Sequence, residues 1–394
     1  MKMLKKGLCL AVALCITAAG LSACGTKDDE NDAANNSGKE AAFHIGGMGP
    51  LTEGNAVYGQ AVKNAAELAV NEINKAGGIN GTNIVFDFED DVNDPEKSVN
   101  AYNILKDGGM QILMGAVTST PCVAVAEKTA KDNMFQLTPS GSSPSCVAND
   151  NAFQVCFSDP NQGAASAQYI AENNIASKVA VIYDGSDVYS TGIYETFAEE
   201  AKKQNIEIVA AEAFTADSKS DFSVQLQKAK DGGAQLLFLP IYYEQATLIL
   251  TQAASIEYSP TFFGCDGLDG ILNVKNFNKD LAEGVMLLTP FAADAQDEAT
   301  KKFVAAYKEA YGDIPNQFAA DAYDAIYIIK QAIETGNVTP DMSISDICEA
   351  LKTAMAEISV DGLTGEKMTW QATGEVNKSP RAVVIKQGKY AVAQ

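Results

Sequence analysis

The chain has one histidine, His44, one arginine, Arg381, and one tryptophan, Trp370, among 394 residues. A single imidazole leaves no material for histidine-dependent acid–base catalysis or a multi-histidine metal centre, so no enzymatic role, metal or cofactor is expected. With one guanidinium, a carboxylate ligand has to be held by hydroxyls, backbone amides, a helix N-terminus or a lysine. Positive charge is scarce throughout. The 51 Asp and Glu against 29 Lys and Arg give a formal charge of −22, a surface that repels nucleic acid and anionic lipid. Beyond the N-terminal leader no run approaches the roughly 18 consecutive apolar residues of a membrane-spanning helix. Catalytic signatures are missing as well. There is no P-loop, HExxH or GxSxG, and Gly47-Met48-Gly49-Pro50 lacks the third glycine of a dinucleotide fingerprint. The serines between Ser140 and Ser145 have no candidate base except His44.

What is present begins with an export signal. Lys2, Lys5 and Lys6 precede an apolar run from Gly7 to Gly20, and Leu21-Ser22-Ala23-Cys24 forms a lipobox. Residues 1–23 therefore read as a lipoprotein signal peptide and Cys24 as the lipidated N-terminus, tethering the protein outside the membrane. Residues 24–40 lack aromatic and β-branched apolar side chains and read as a flexible linker. Once Cys9, Cys15 and Cys24 are set aside, Cys122, Cys146, Cys156, Cys265 and Cys348 remain, an odd number with no paired CxxC spacing. A Cys146–Cys156 bridge is possible in an oxidising exterior, and buried free thiols are the preferred reading.

From Phe43 onward short apolar runs alternate with amphipathic stretches, the rhythm of parallel sheets covered by helices. Strands are expected at 43–47, 83–89, 111–114 and 134–138, with helices at 55–76, 96–106 and 121–131. After Asp159-Pro160, read as a cap and first-turn pair, a second series follows. It has helices at 161–173 and 189–204 and strands at 178–183, 206–211, 235–239, 261–264 and 284–288. Helices at 297–311, 317–335 and 345–358 and a hairpin of 381–385 with 390–393 complete it. About 350 residues exceed one comfortable core, so two doubly wound α/β lobes are expected.

Val117-Thr118-Ser119-Thr120-Pro121 follows the apolar run ending at Met114-Gly115, with Thr120 as the expected cap and Pro121 in the first helical turn. Unpaired amides and the positive helix end there face the crevice in which α/β sheets bind ligands. The Ser140 to Ser145 loop ends the next strand, so the two segments make a hydroxyl-rich cradle for an anion. In the second series Tyr242-Tyr243 and Cys265-Asp266-Gly267 also stand at strand ends. Asp266 there suits an ammonium group, although an ordinary turn aspartate is an equal reading from position alone.

Ile45 to Thr52, Asn71 to Gly81, Gly115 to Pro121, Asp159 to Gly163, Tyr242-Tyr243 and Gly264 to Gly267, taken in order, resemble the leucine/isoleucine/valine-binding proteins of the type I periplasmic binding family. The resemblance covers nearly all of residue 42 to the C-terminus. It implies two lobes joined by three crossovers, with lobe one formed by 41–160 and 290–365 and lobe two by 161–289 and 366–394. It places Ser119, Ser140 and Ser142 on an α-carboxylate and part of the α-ammonium, and Asp266 on the ammonium where the family usually has the longer glutamate. Tyr242 falls at a pocket tyrosine, Tyr58 and Phe318 beside the ligand side chain, and Tyr189 near the cleft mouth. An amino-acid ligand, ABC permease subunits as partners, membrane contact through the lipid alone, and a monomer are the expectations that follow. A sensing ectodomain, or a binder of another small solute, is the competing expectation.

Overall fold

The computed structural model describes residues 41–393, so the expected leader, the lipidated Cys24 and the linker lie outside the described residues. The apolar runs assemble into two sheets. In the first, β1 (Ala42–Gly49) lies between β2 (Asn83–Asp90) and β3 (Ile112–Met114), and β4 (Gln136–Thr138) and β5 (Ala152–Gln154) extend it in the order β2-β1-β3-β4-β5. All its pairings are parallel. The second repeats the winding. Its β6 (Lys178–Asp184) lies between β7 (Glu207–Phe214) and β8 (Leu236–Leu239), followed by β9 (Thr261–Gly264) and β10 (Met286–Thr289). An antiparallel hairpin, β11 (Arg381–Lys386) and β12 (Lys389–Val392), completes its edge. Central strands of such sheets are covered on both faces, and Ile112 to Met114 and Leu236 to Leu239 are fully buried.

Helices α1 (Ala56–Lys75), α2 (Pro95–Asp107) and α3 (Ser119–Asp132) connect the strands of the first sheet. Helices α4 (Asp159–Glu172), α5 (Val188–Lys203), α6 (Ser223–Asp231) and α7 (Tyr243–Ser255) belong with the second. Three more, α8 (Glu298–Tyr311), α9 (Gln317–Thr335) and α10 (Ile344–Met355), return to the first half, where α8 and α9 pack on α1. The expected apolar face of α1 is buried at Ala61, Ala65, Ala69 and Ile73, and the helix ends where the Gly78 amide reaches Ile73 O at 2.9 Å. Gly77 and Gly78 stand at φ of 105° and 78° there, a backbone only glycine adopts without strain. The chain thus crosses between the halves three times: before α4, after β10 and before β11.

Several expectations change in detail. Helix α3 begins at Ser119 with Thr118 as its extended cap residue, so Thr120 lies inside the first turn. Ser158, not Asp159, occupies the cap position of α4. Helices α6 and α7 and strand β5 are additions. Residues 366–378, expected with the second lobe, pack on the first half: Trp370 Nε1 donates to Gln154 O at 2.8 Å and Gln154 N to Gly374 O at 3.1 Å. Only the hairpin of β11 and β12 joins the second sheet. The five cysteines from Cys122 to Cys348 are buried free thiols, and the Cys146–Cys156 bridge does not form.

Candidate functional site

Both halves wind in the order 2-1-3-4-5, which places the switch point of the first sheet between β1 and β3 and that of the second between β6 and β8. Ligands bind such sheets in the crevice beyond the carboxyl ends of their strands. The expected site residues lie on these ends: Ser119 after β3, Ser140 and Ser142 after β4, Tyr189 after β6, Tyr242 after β8 and Asp266 after β9. Tyr58 near the start of α1 and Phe318 in the first turn of α9 add a wall from the first half.

The cradle is built around the start of α3. A helix leaves its first amides without intrahelical partners. Thr118 offers them no side-chain cap, and its hydroxyl donates to Asn93 Oδ1 at 2.6 Å. Ser119 Oγ accepts from the amides of Ser142 and Ser143 at 3.1 and 3.2 Å, which ties the loop to the helix and leaves the Ser119 hydroxyl proton to donate outward. The hydroxyl of Ser140 is spent on Val117 O at 2.6 Å, so Ser140 shapes the loop with its side chain. Ser142 is 1% exposed and its carbonyl accepts from Asp159 N at 3.0 Å. The result is a neutral, donor-rich pole at a positive helix end.

An acidic pole stands beside it. Asp266 is buried, its Oδ1 accepts from the Tyr189 hydroxyl at 2.7 Å, and its amide donates to Gln162 Oε1 at 3.2 Å. Gly267 donates its amide to the same Tyr189 oxygen at 2.9 Å. A Cβ at Gly267 would lie 2.6 Å from that oxygen, so only glycine lets the phenol approach. Asp159, read from sequence as part of a helix cap, is fully buried and neither carboxylate oxygen has a hydrogen-bond partner among the described residues. The Gln162 Nε2 group, one helical turn on, is likewise unpartnered. Burial pushes the Asp266 carboxyl up to about 7; the Tyr189 hydroxyl opposes the rise and the charge of Asp321 adds to it. Burial also raises Asp159 well above the usual carboxylate range; the adjacent Ser142 side chain opposes the rise, and the charges of Asp266 and Asp187 add to it. Each carboxyl is thus held ready for a cation that would favour its ionised form.

Aromatic rings close the remaining side. Tyr58 stacks on Phe318 with centroids 4.0 Å apart, meets Tyr242 edge-on at 5.8 Å, and Tyr242 stacks on Tyr189 at 4.9 Å. These four rings run continuously from one half to the other. Near the mouth, Thr120 Oγ1 donates across to Asp187 Oδ1 at 2.9 Å, beside a cavity of about 210 Å³ lined also by Tyr242 and Lys219. Tyr58, Phe318, Tyr242, Tyr189 and Asp266 thus form one connected set of ring contacts and hydrogen bonds, Ser119 and Ser142 form another, and the Ser142 carbonyl reaches Asp159 of the acidic pole. A run of aspartate before proline at a crossover was the available signal for Asp159, and its reading as a cap concealed it. The single buried cation among the described residues, Lys378, is bound to Asp321 and stays out of the cradle.

Comparison with known proteins agrees with this architecture. Residues 42–389 match the family model described as periplasmic binding protein. The Leu/Ile/Val-binding protein homolog 3 of Brucella melitensis is 30% identical over 354 residues, 88% of this chain and 91% of its own length. A leucine-, isoleucine-, valine-, threonine- and alanine-binding protein of Pseudomonas aeruginosa is 28% identical over 307 residues, 77% of this chain and 80% of its own. Among solved structures, the branched-chain amino acid transporter substrate-binding protein LivJ of Streptococcus pneumoniae, in complex with isoleucine, superimposes with a TM-score of 0.81 at 27% identity, covering 90% of this chain and 99% of that one. A leucine-binding protein of Thermotoga maritima, at 24% identity and a TM-score of 0.80, shares the fold. Two halves of like winding, three crossovers and paired switch points thus coincide with a family match over residues 42–389, and the chain belongs to the periplasmic binding protein family in its type I, α/β form.

Proposed function

We propose that this chain is an extracytoplasmic substrate-binding protein, tethered by a lipid on Cys24, that closes two lobes around an amino acid and delivers it to an ABC permease. The lobes we infer are 41–160 with 290–378, and 161–289 with the C-terminal hairpin. The observation that carries the reading is the pairing of opposite poles in one crevice. The uncapped start of α3 with Ser119 suits an α-carboxylate, and the buried carboxylates of Asp159 and Asp266 suit an α-ammonium. A zwitterion satisfies both at once, whereas a simple anion leaves the acids unpaired and a simple cation leaves the amides unpaired. The wall of Tyr58, Phe318, Tyr242 and Tyr189 favours an apolar side chain, and the LivJ relative of known structure was solved with isoleucine. A branched aliphatic amino acid is the ligand class supported best.

The ligand docks on the Ser119 cradle of the first lobe and gains Asp266 and Tyr242 only on closure. That difference in contacts shifts the equilibrium to the closed form. A thermal-shift screen of the twenty amino acids on residues 25–394 tests the ligand class. Leucine, isoleucine or valine should raise the melting temperature, because a ligand that binds only the native state stabilises it. No shift with any of the twenty would direct the search to other solutes.

A further inference from the structure

The two halves meet through a pair of tyrosines whose hydroxyls cross in opposite directions. Tyr58 of α1 donates its phenol to the carbonyl of Gly267 and accepts from the amide of Tyr243 at 3.2 Å. Tyr243, the first residue of α7, donates its own phenol to Gly54 O and accepts from Val57 N, each at 3.3 Å. The rings sit edge to face, 4.9 Å apart and at 88°. Every partner is backbone of the opposite half, so none can swing away as a side chain can. The approach depends on Gly270, at φ of 99°, where a Cβ would stand 3.0 Å from Val57 Cγ1. Outside the pair lies a cavity of about 650 Å³ lined by Tyr243, Glu53, Asn64 and Tyr307, so the outer side of Tyr243 faces away from Ser119 and Asp266.

We propose that Tyr58 and Tyr243 form a reciprocal clasp that holds the closed form and sets how long ligand is retained, with Tyr243 a positioning residue outside the ligand's reach. The proposal rests on the reading that the lobes open and close around a ligand. Rotation of one half away from the other breaks all four hydrogen bonds together, and closure remakes them after docking. A contact present only in the closed form slows dissociation and leaves encounter with the open form unchanged.

Tyr243→Phe keeps the ring and removes both hydroxyl bonds. Stopped-flow binding of leucine should show dissociation faster by about tenfold with association within about twofold of the parent, as expected for two modest hydrogen bonds. Single-molecule energy transfer between dyes on Val85→Cys and Val224→Cys, exposed sites on β2 and α6 of opposite halves, should show closed visits of the ligand-free protein shortened by a similar factor. Unchanged dissociation, or unchanged closed visits, would overturn the clasp. If leucine and its relatives do not bind but the closed visits still shorten, the ligand reading fails and the clasp stands.

Discussion

Asp266→Asn should lower the affinity for the amino acid by about a hundredfold or more, since truncating the charge of a desolvated pair costs about 2–5 kcal/mol. The substitution keeps the shape of the side chain and its contact with the Tyr189 hydroxyl, so the loss reports charge. The carboxyl of Asp266 stands at about 7 in the ligand-free protein, and an ammonium binds the ionised form. Affinity of the parent should therefore rise with pH from about 5 to 7, and the part of that rise due to Asp266, approaching tenfold per unit well below its value, should level off above it. In Asp266→Asn the slope that remains belongs to Asp159. Calorimetric titration at several pH values measures both effects. A parent affinity flat across this range would remove Asp266 from the ammonium site.

The second large effect concerns stability. Lys378 Nζ lies 2.9 Å from Asp321 Oδ1 and 2.6 Å from Thr364 Oγ1, and the paired side chains are 1% and 2% exposed. Asp324, on the next turn of α9, accepts from the amides of Leu363 and Thr364 at 2.9 Å. The cluster stands at the last crossover, where the chain leaves the first half for β11. Burial raises the carboxyl of Asp321, and the charge of Lys378 opposes that rise. Lys378→Met leaves Asp321 without its cation and should cost about 3–5 kcal/mol, the usual penalty for breaking a buried pair from one side. The loss should shrink at low pH as Asp321 takes up a proton, and the double variant Lys378→Met with Asp321→Leu should regain much of it. Urea unfolding checks this, and a single variant as stable as the parent at neutral pH would contradict it.

Much of the architecture was legible because a parallel sheet writes itself as apolar runs between amphipathic helices, as Gln111 to Met114, Gln235 to Leu239 and the face of α1 show. Helix α6 is not legible in the sequence because it buries only Leu226 and Ala229 over nine residues, too few to show a period. Helix α7 buries Ala246, Ile249, Leu250 and Ala253, a clear helical period, and is absent from the expected elements. Residues 366–378 have no periodic signal at all. Isolated bridges such as Trp370 with Val376 hold them, and their place on the first half is decided by contacts distant in sequence.

The site divides in the same manner. Strand-end positions located the serines, Tyr242 and Asp266, but hydrogen-bond allocation was invisible. Ser119 and Ser140 look alike in sequence, yet one keeps its proton for the crevice and the other gives it to Val117. Asp159 differs from an ordinary cap only because Ser158 takes the cap position and the Ser142 loop folds over its amide. Which of two adjacent tyrosines hydrogen-bonds the backbone of the other half depends on where α7 begins. Tyr242 is its extended cap residue and stacks on Tyr189, and Tyr243 is its first helical residue and reaches Gly54.

The central claim is that one amino acid bridges the two poles of the crevice, and a crystal structure with the amino acid of largest thermal shift tests it most directly. The expected result has the α-carboxylate on Ser119 and the first amides of α3 and the α-ammonium between Asp159 and Asp266. A ligand seated instead in the cavity beside Glu53 and Tyr307, or bound with its ends reversed, would contradict it.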